Sequence, residues 1–253
     1  MNYSLILLCA GSGKRTGLKY NKIFYKINNQ TVYEMNISHF LEDNRCKQII
    51  VVTKENEIED IKKLVSDSRI EYVFGGQERQ DSVYEGLQKV KEDYVFIHDG
   101  ARPFLDEEII KRNIQAVREY QACVAGMPVK DTIKISDEEE FAAATPDRSK
   151  LWMIQTPQTF SYELIYQAYR VLITSEENTA EPEQTLPYDS LLNKQKVKKL
   201  QENRGQVHVT DDAMVVELLT DIPVKLVRGS YQNIKITTPE DLKIAEALCE
   251  KKQ

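Results

Sequence analysis

Ser4-Leu-Ile-Leu-Leu-Cys9 runs directly into Ala10-Gly-Ser-Gly-Lys-Arg-Thr16. An apolar run of this length, with no alternation of polar and apolar positions, fits a strand covered on both faces. The glycines and bases that follow fit a turn built around an anion. Runs at 48–53, 70–74, 94–98 and 122–128 read as further strands, and helix-period segments at 31–41, 55–65, 81–90 and 106–120 fall between them. The alternation predicts an α/β fold of Rossmann-like type, a mainly parallel sheet with helices on both faces. Ligands of such sheets bind beyond the carboxyl ends of the strands, where the strand order reverses.

The chain has 253 residues, 41% hydrophobic and 29% charged, enough for one large domain with an appended arm. No apolar run approaches a membrane span. Met1-Asn-Tyr3 enters the first strand with no basic leader, so a cytoplasmic location is expected. A net charge of −6 excludes broad electrostatic binding of nucleic acid or anionic lipid, so any phosphate site must be local. Cys9, Cys46, Cys123 and Cys249 form no CxxC pair and read as thiols in a reducing compartment.

Past the fifth strand the pattern changes. Residues 131–150 are polar, with an acidic run at 137–140, and read as an arm that leaves the sheet and returns. Residues 174–206 hold Pro182, Pro187 and a mixed-charge stretch, and read as a solvated loop or insertion. Near the end, Thr238-Pro-Glu-Asp241 has the makings of a capping box opening a last helix to about residue 251.

Three motifs carry chemistry. In the first, Gly11 and Gly13 let the backbone approach a phosphate chain, while Lys14, Arg15 and Lys22 supply charge. Thr16 stands in place of the third glycine of a dinucleotide fingerprint, and the P-loop pattern is absent, so a free triphosphate is the better guest. The second is Gly75-Gly-Gln-Glu-Arg-Gln-Asp-Ser-Val83, a glycine turn opening a helix. Backbone groups at Gly75 and Gly76 and the Ser82 hydroxyl suit the edge of a pyrimidine ring; read without the others, the motif is equally a plain helix cap. The third is His98-Asp-Gly-Ala-Arg-Pro103 at the end of the 94–98 strand. Asp99 suits a hard cation such as Mg²⁺ and Arg102 a second anion. His98 reads as a packed, hydrogen-bonded histidine rather than a base.

In this order and spacing the motifs resemble the 2-C-methyl-D-erythritol 4-phosphate cytidylyltransferase family of isoprenoid biosynthesis. The likeness continues through Pro128-Val-Lys-Asp-Thr132, Thr145-Pro-Asp-Arg148 with Leu151-Trp-Met-Ile-Gln-Thr-Pro-Gln158, Thr210-Asp-Asp-Ala213 and Asn233-Ile-Lys-Ile-Thr-Thr-Pro-Glu-Asp241. It implies in-line attack by a polyol phosphate on the α-phosphorus of CTP, with loss of pyrophosphate. Arg15, Lys22 and Lys235 would stabilise the transition state. Ala10, Gly11, Gly13, Lys14, Gly75, Gly76, Ser82 and Gly100 would line the nucleotide, with Asp99 on Mg²⁺. Arg102, Thr132 and Arg148 would bind the polyol phosphate, the last two offered by the arm of the partner in a homodimer.

Asn21 stands where that family usually carries proline, which predicts a looser loop around Lys22. A ribitol 5-phosphate cytidylyltransferase would share the front motifs and differ in the arm, where Thr-Pro-Asp-Arg and Leu-Trp look more like the methylerythritol branch. A non-catalytic nucleotide-binding regulator is disfavoured by Arg15, Lys22, Asp99 and Lys235 occurring together. The missing third glycine disfavours an NAD-dependent oxidoreductase.

Overall fold

The computed structural model describes residues 1–176, 190–203 and 208–250. Chain order gives β1 (Tyr3–Leu8), β2 (Lys26–Ile27), β3 (Gln30–Thr31), α1 (Val32–Leu41), β4 (Cys46–Thr53), α2 (Ile58–Leu64), β5 (Ile70–Phe74) and α3 (Arg79–Leu87). There follow β6 (Tyr94–Asp99), α4 (Glu107–Tyr120), β7 (Ala122–Pro128), β8 (Ile135–Ser136), β9 (Ala142–Ala144), β10 (Trp152–Ser161) and α5 (Tyr162–Glu176). The last elements are α6 (Lys194–Glu202), α7 (Asp212–Leu219), β11 (Lys225–Arg228) and α8 (Pro239–Glu250).

Seven strands form one sheet in the order β11-β7-β10-β6-β1-β4-β5. All its pairings are parallel except those of β10, which runs antiparallel to both β6 and β7. The expected mainly parallel sheet is therefore present. Its strands read as apolar runs because neighbouring residues enter different cores. Ile6, Ile50, Val52 and Ile97 pack with Val83, Leu87, Leu164 and Val216 from α3, α5 and α7. Leu5, Leu7, Ile49, Val51 and Phe96 pack with Tyr33, Ile37, Ile61, Ile109 and Ile110 from α1, α2 and α4. Each such residue is fully or almost fully buried, a contribution of about 1.5–3 kcal/mol per large aliphatic side chain.

Local chemistry sets the helix starts. Thr31 and Glu34 form a reciprocal capping box on α1, and Asp106 caps α4 by accepting from the Ile109 N–H at 2.7 Å. At α8 the Asp241 carboxylate accepts from the backbone N–H groups of Thr237 and Thr238, each at 2.8 Å. That is the backbone half of the expected box.

The arm is an exposed two-stranded hairpin, β8 against β9. Its turn is held by the Asp137 carboxylate, which accepts from the N–H groups of Glu139 and Phe141. The stretch expected as a solvated loop holds more order than its composition suggested. Asn193 caps α6 with its side-chain oxygen, and Leu200 is buried in the larger core beside α5 and α7. The charges dominate that segment's composition, but a single apolar face is enough to dock a short helix. The rest of the predicted insertion, 177–189 and 204–207, lies outside the described residues.

If α6 is docked rather than solvated, Leu200→Ala is expected to lower unfolding stability by about 2 kcal/mol or more, measured by urea denaturation. An effect near zero would mean that the segment contributes nothing to the core.

Candidate active site

The carboxyl ends of β1, β4 and β6 open on a cleft of about 600 Å³, lined by residues from all three motifs and from the loop before α8. Ala10, Gly11, Gly13, Arg15, Lys22, Gly75, Gly76, Ser82, Asp99 and Lys235 all face it.

The first wall is the turn after β1. Gly11 has nothing within 4 Å of where a Cβ would stand, so its backbone is open to a guest. Gly13 has φ +66°, and a Cβ there would meet the Tyr20 carbonyl oxygen at 3.1 Å and the Lys22 nitrogen at 3.3 Å. Glycine is thus required both by conformation and by the close passage of the Lys22 loop. Thr16 closes the turn, its N–H and Oγ1 both bonding the Gly13 carbonyl, at 2.9 and 2.6 Å. Lys14 and Arg15 lie in that short 3-10 turn.

Lys22 is half-buried. Burial, then the nearby Lys235, lowers its ammonium pKa, while Asp99 opposes the shift. Asn21 does not loosen this loop, contrary to the expectation from its sequence. Its Nδ2 donates to the Cys9 carbonyl at 2.7 Å and to Glu57 Oε2 at 2.8 Å, and the residue is 3% exposed.

The second wall is the glycine turn before α3. A Cβ on Gly75 would fall 2.8 Å from both the Ala10 Cβ and the Ser82 Oγ, so only glycine lets these two walls meet. Ser82 Oγ accepts from the Gly76 N–H and donates to the Glu78 carbonyl, each at 3.1 Å, which shapes the turn.

Asp99, 7% exposed, is the charged centre. Lys235 Nζ lies 2.8 Å from its Oδ2, Arg79 Nε 3.7 Å from Oδ1 and Arg102 Nε 3.7 Å from Oδ2. Burial by itself would raise the carboxyl pKa, but Lys235, Arg79 and Arg102 together hold it well below the usual carboxylate range. It is ionised at neutral pH. Among the described residues no group of three or more His, Cys, Asp and Glu side chains is placed to hold a metal. Asp99 is the buried carboxylate of the cleft that would hold a hard cation, with Lys235 already 2.8 Å from its Oδ2.

His98 is fully buried and faces away from the cleft. Its Nε2 meets the Arg102 carbonyl at 3.2 Å and its Nδ1 meets Thr156 Oγ1 at 3.0 Å. A carbonyl only accepts, which assigns the proton to Nε2 and leaves Nδ1 to accept from the hydroxyl. Thr156 Oγ1 also accepts from the Asp99 N–H at 3.0 Å. Burial pushes the imidazole down to about 3. It is a neutral prop for the Asp99 backbone, as its sequence context suggested.

Gly100 and Arg102 turn inward. The Gly100 N–H bonds the Leu8 carbonyl at 2.9 Å, joining the ends of β6 and β1. Arg102 Nη1 donates to the Asn233 carbonyl at 2.8 Å, tying the Asp99 loop to the Lys235 loop. Thr132 and Arg148 are exposed on the arm and do not line the cleft. Arg148 Nη1 donates to the Lys130 carbonyl at the arm's root.

Sequence reasoning missed Arg79. It stands in the first turn of α3 and makes two bonds to Asp212, 2.8 and 2.7 Å, while its Nε faces Asp99. Asp212 is fully buried and also accepts from the Tyr169 hydroxyl at 2.5 Å. The neighbouring Asp211 caps α7 by accepting from the Met214 N–H and accepts from Gln158 Nε2, each at 3.0 Å. The adjacent acids at 211 and 212 were the available signal, because one could cap a helix and the other then needed a cation.

Two further tests follow from this wiring. Below a pH of about 6.5 the unfolded chain takes up a proton on His98 that the folded chain refuses until about 3, so stability falls with pH across that window. The urea midpoint of His98→Gln is expected to fall less steeply between pH 7 and pH 4 than that of the unmodified protein. Asp212→Ala removes both hydrogen bonds from the Arg79 guanidinium and is expected to cost about 3 kcal/mol or more in thermal or urea unfolding.

The family model described as 2-C-methyl-D-erythritol 4-phosphate cytidylyltransferase matches residues 3–185 and 179–251. A protein of that name from Alkaliphilus oremlandii is 40% identical over 252 residues, 97% of this chain and 94% of the relative. Another of that name, from Lachnospira eligens, is 40% identical over 245 residues, 95% and 96% of the two chains. The crystal structure of 4-diphosphocytidyl-2C-methyl-D-erythritol synthase from Anaerococcus prevotii superposes with a TM-score of 0.78 at 31% identity, covering 98% of this chain and 96% of that one.

Proposed function

Because the chain belongs to the 2-C-methyl-D-erythritol 4-phosphate cytidylyltransferase family, we propose that Arg15, Lys22 and Lys235 carry its reaction. That reaction is transfer of CMP from CTP to 2-C-methyl-D-erythritol 4-phosphate, giving 4-diphosphocytidyl-2-C-methyl-D-erythritol and pyrophosphate in isoprenoid biosynthesis. The observation that carries the assignment is the convergence of these three cations with Asp99 on one cleft whose second wall is the glycine turn at 75–76.

Nucleotidyl transfer asks a protein for positioning and for charge stabilisation more than for covalent chemistry. The 11–16 turn and Arg15 hold the β- and γ-phosphates. Gly75, Gly76 and Ser82 seat the cytosine. Lys22 and Lys235 face the α-phosphate from two sides and oppose the charge that grows on its equatorial oxygens as the acceptor phosphate attacks in line. Such a preorganised donor acts most strongly where water is scarce, and Lys22 is half-buried in the cleft wall. The acceptor phosphate is ionised at neutral pH, so no strong base is needed, in keeping with the buried, neutral His98. Asp99 would hold a magnesium ion, which when bound neutralises phosphate charge.

The arm supports a homodimer in which Thr132 and Arg148 reach the acceptor site of the partner. It exposes Ile133, Ile135 and Phe141, the last 67% exposed, which suit a contact with a second copy. Arg102 turns inward behind Asp99, so on this reading it fixes the Asp99 and Lys235 loops from within its own subunit rather than meeting the acceptor phosphate. The whole chain reads as one nucleotidyltransferase domain that works in the cytoplasm; among the described residues no helix is long and apolar enough to cross a membrane. The names of the relatives favour methylerythritol phosphate over ribitol phosphate as acceptor.

Pyrophosphate release with CTP and magnesium is expected with methylerythritol 4-phosphate and not with ribitol 5-phosphate. Lys22→Ala is expected to lower kcat on the order of 10²-fold or more. Release with ribitol phosphate alone would reassign the acceptor, and an undiminished Lys22→Ala rate would remove Lys22 from the mechanism.

A further inference from the structure

The cleft residues given roles so far are those proposed to meet the nucleotide or its acceptor. Asn21 reaches the cleft wall with only 3% of its surface exposed, and its side chain is spent on bonds within the protein. Its amide nitrogen has two hydrogens, and both are used. One goes to the Cys9 carbonyl at the end of β1, the other to Glu57 Oε2 in the turn after β4. Its Oδ1 accepts from the Ile23 N–H at 3.4 Å, a weak cap on the 3-10 turn Lys22–Phe24. Its backbone carbonyl accepts from the Phe24 N–H at 3.0 Å. Glu57 in turn holds Lys54 Nζ at 3.2 Å through its other oxygen.

Lys22 therefore sits between two fixed points. Asn21 on one side is pinned to the end of β1 and to the turn after β4, and Ile23 on the other side is 2% exposed in the core. A lysine side chain is long and has several rotatable bonds, so where its ammonium can reach depends on how firmly its Cα is held. The bond to Glu57 is charge-assisted, the stronger kind. An alanine offers neither donor, and an aspartate would place a carboxylate against Glu57 and a carbonyl oxygen.

We propose that Asn21, braced by Glu57, is the positioning residue for Lys22. The inference rests on the reading of Lys22 as the cation that stabilises charge at the α-phosphate. A misplacement of an ångström at such a group is enough to lower rate heavily while leaving ground-state binding nearly intact.

The test is a cycle of four proteins, the unmodified chain, Asn21→Ala, Lys22→Ala and the double variant, assayed for kcat and for KM toward CTP. Hydrogen exchange is followed at the amides of residues 23–25. Asn21→Ala is expected to lose about tenfold or more in kcat, with KM within about threefold, and to exchange faster at those amides. In the Lys22→Ala background the same substitution is expected to cost less than about twofold, because the residue acts only through Lys22. An equal loss in both backgrounds would make Asn21 a general scaffold residue and overturn the proposal, as would an unchanged kcat with unchanged exchange. If Lys22→Ala turns over at the full rate, the reading of Lys22 fails and the positioning role falls with it. Exchange at 23–25 then reports the anchor alone.

Discussion

A carboxylate taken out of water must be surrounded by positive charge or give up its own, and Asp99 is surrounded. The cations come from three places in the chain: Arg102 three residues on, Arg79 from the head of α3, and Lys235 from the loop before α8. Holding them together fixes the spacing of the cleft walls. The requirement then passes outward. Arg79 needs Asp212, and Asp212, fully buried, needs the Tyr169 hydroxyl as well. A charge placed at the mouth of the sheet is in this way satisfied by side chains from α5 and α7 that never see the ligand.

What could be read from sequence follows the same division between local and distant partners. Strand 122–128 coincides with β7, which is buried and carries almost only apolar residues, and 70–74 coincides with β5, a partly buried edge strand marked by its aromatic and β-branched residues. Thr31 and Asp106 marked their helix starts because a cap is satisfied within three residues. The two glycine turns were legible for a related reason: Gly13, at φ +66°, and Gly75, where a Cβ would strike Ala10 and Ser82, admit no side chain, and that absence is visible in one dimension.

The strand β10 was not legible. Gln155, Thr156, Gln158 and Thr159 are all buried in it, and a polar stretch reads as loop. Their partners explain the composition. Gln155 bonds the Ser230 carbonyl, Thr156 Oγ1 the Asp99 N–H, and Gln158 both Asp211 and the Ala213 N–H. Each partner lies more than 50 residues away in sequence, so nothing in a local window could announce it. Arg79 was overlooked for the same reason, with Asp212 133 positions downstream. Gly100 and Arg102 stood in the right motif, but the motif does not say that the first spans to β1 and the second to Asn233 rather than facing the cleft.

The antiparallel course of β10 has a consequence for how such a protein can change. Because β6 and β7 both run against β10, they point the same way, and the hairpin arm leaves from the end of β7 on the rim where the cleft opens. It returns at Trp152, which pairs with Pro128. Both feet of the arm are thus a single rung of the ladder. A hairpin standing on one rung can lengthen, shorten or exchange its tip without shifting any strand beneath it, so the arm is free to diversify while the cleft at the strand ends stays still.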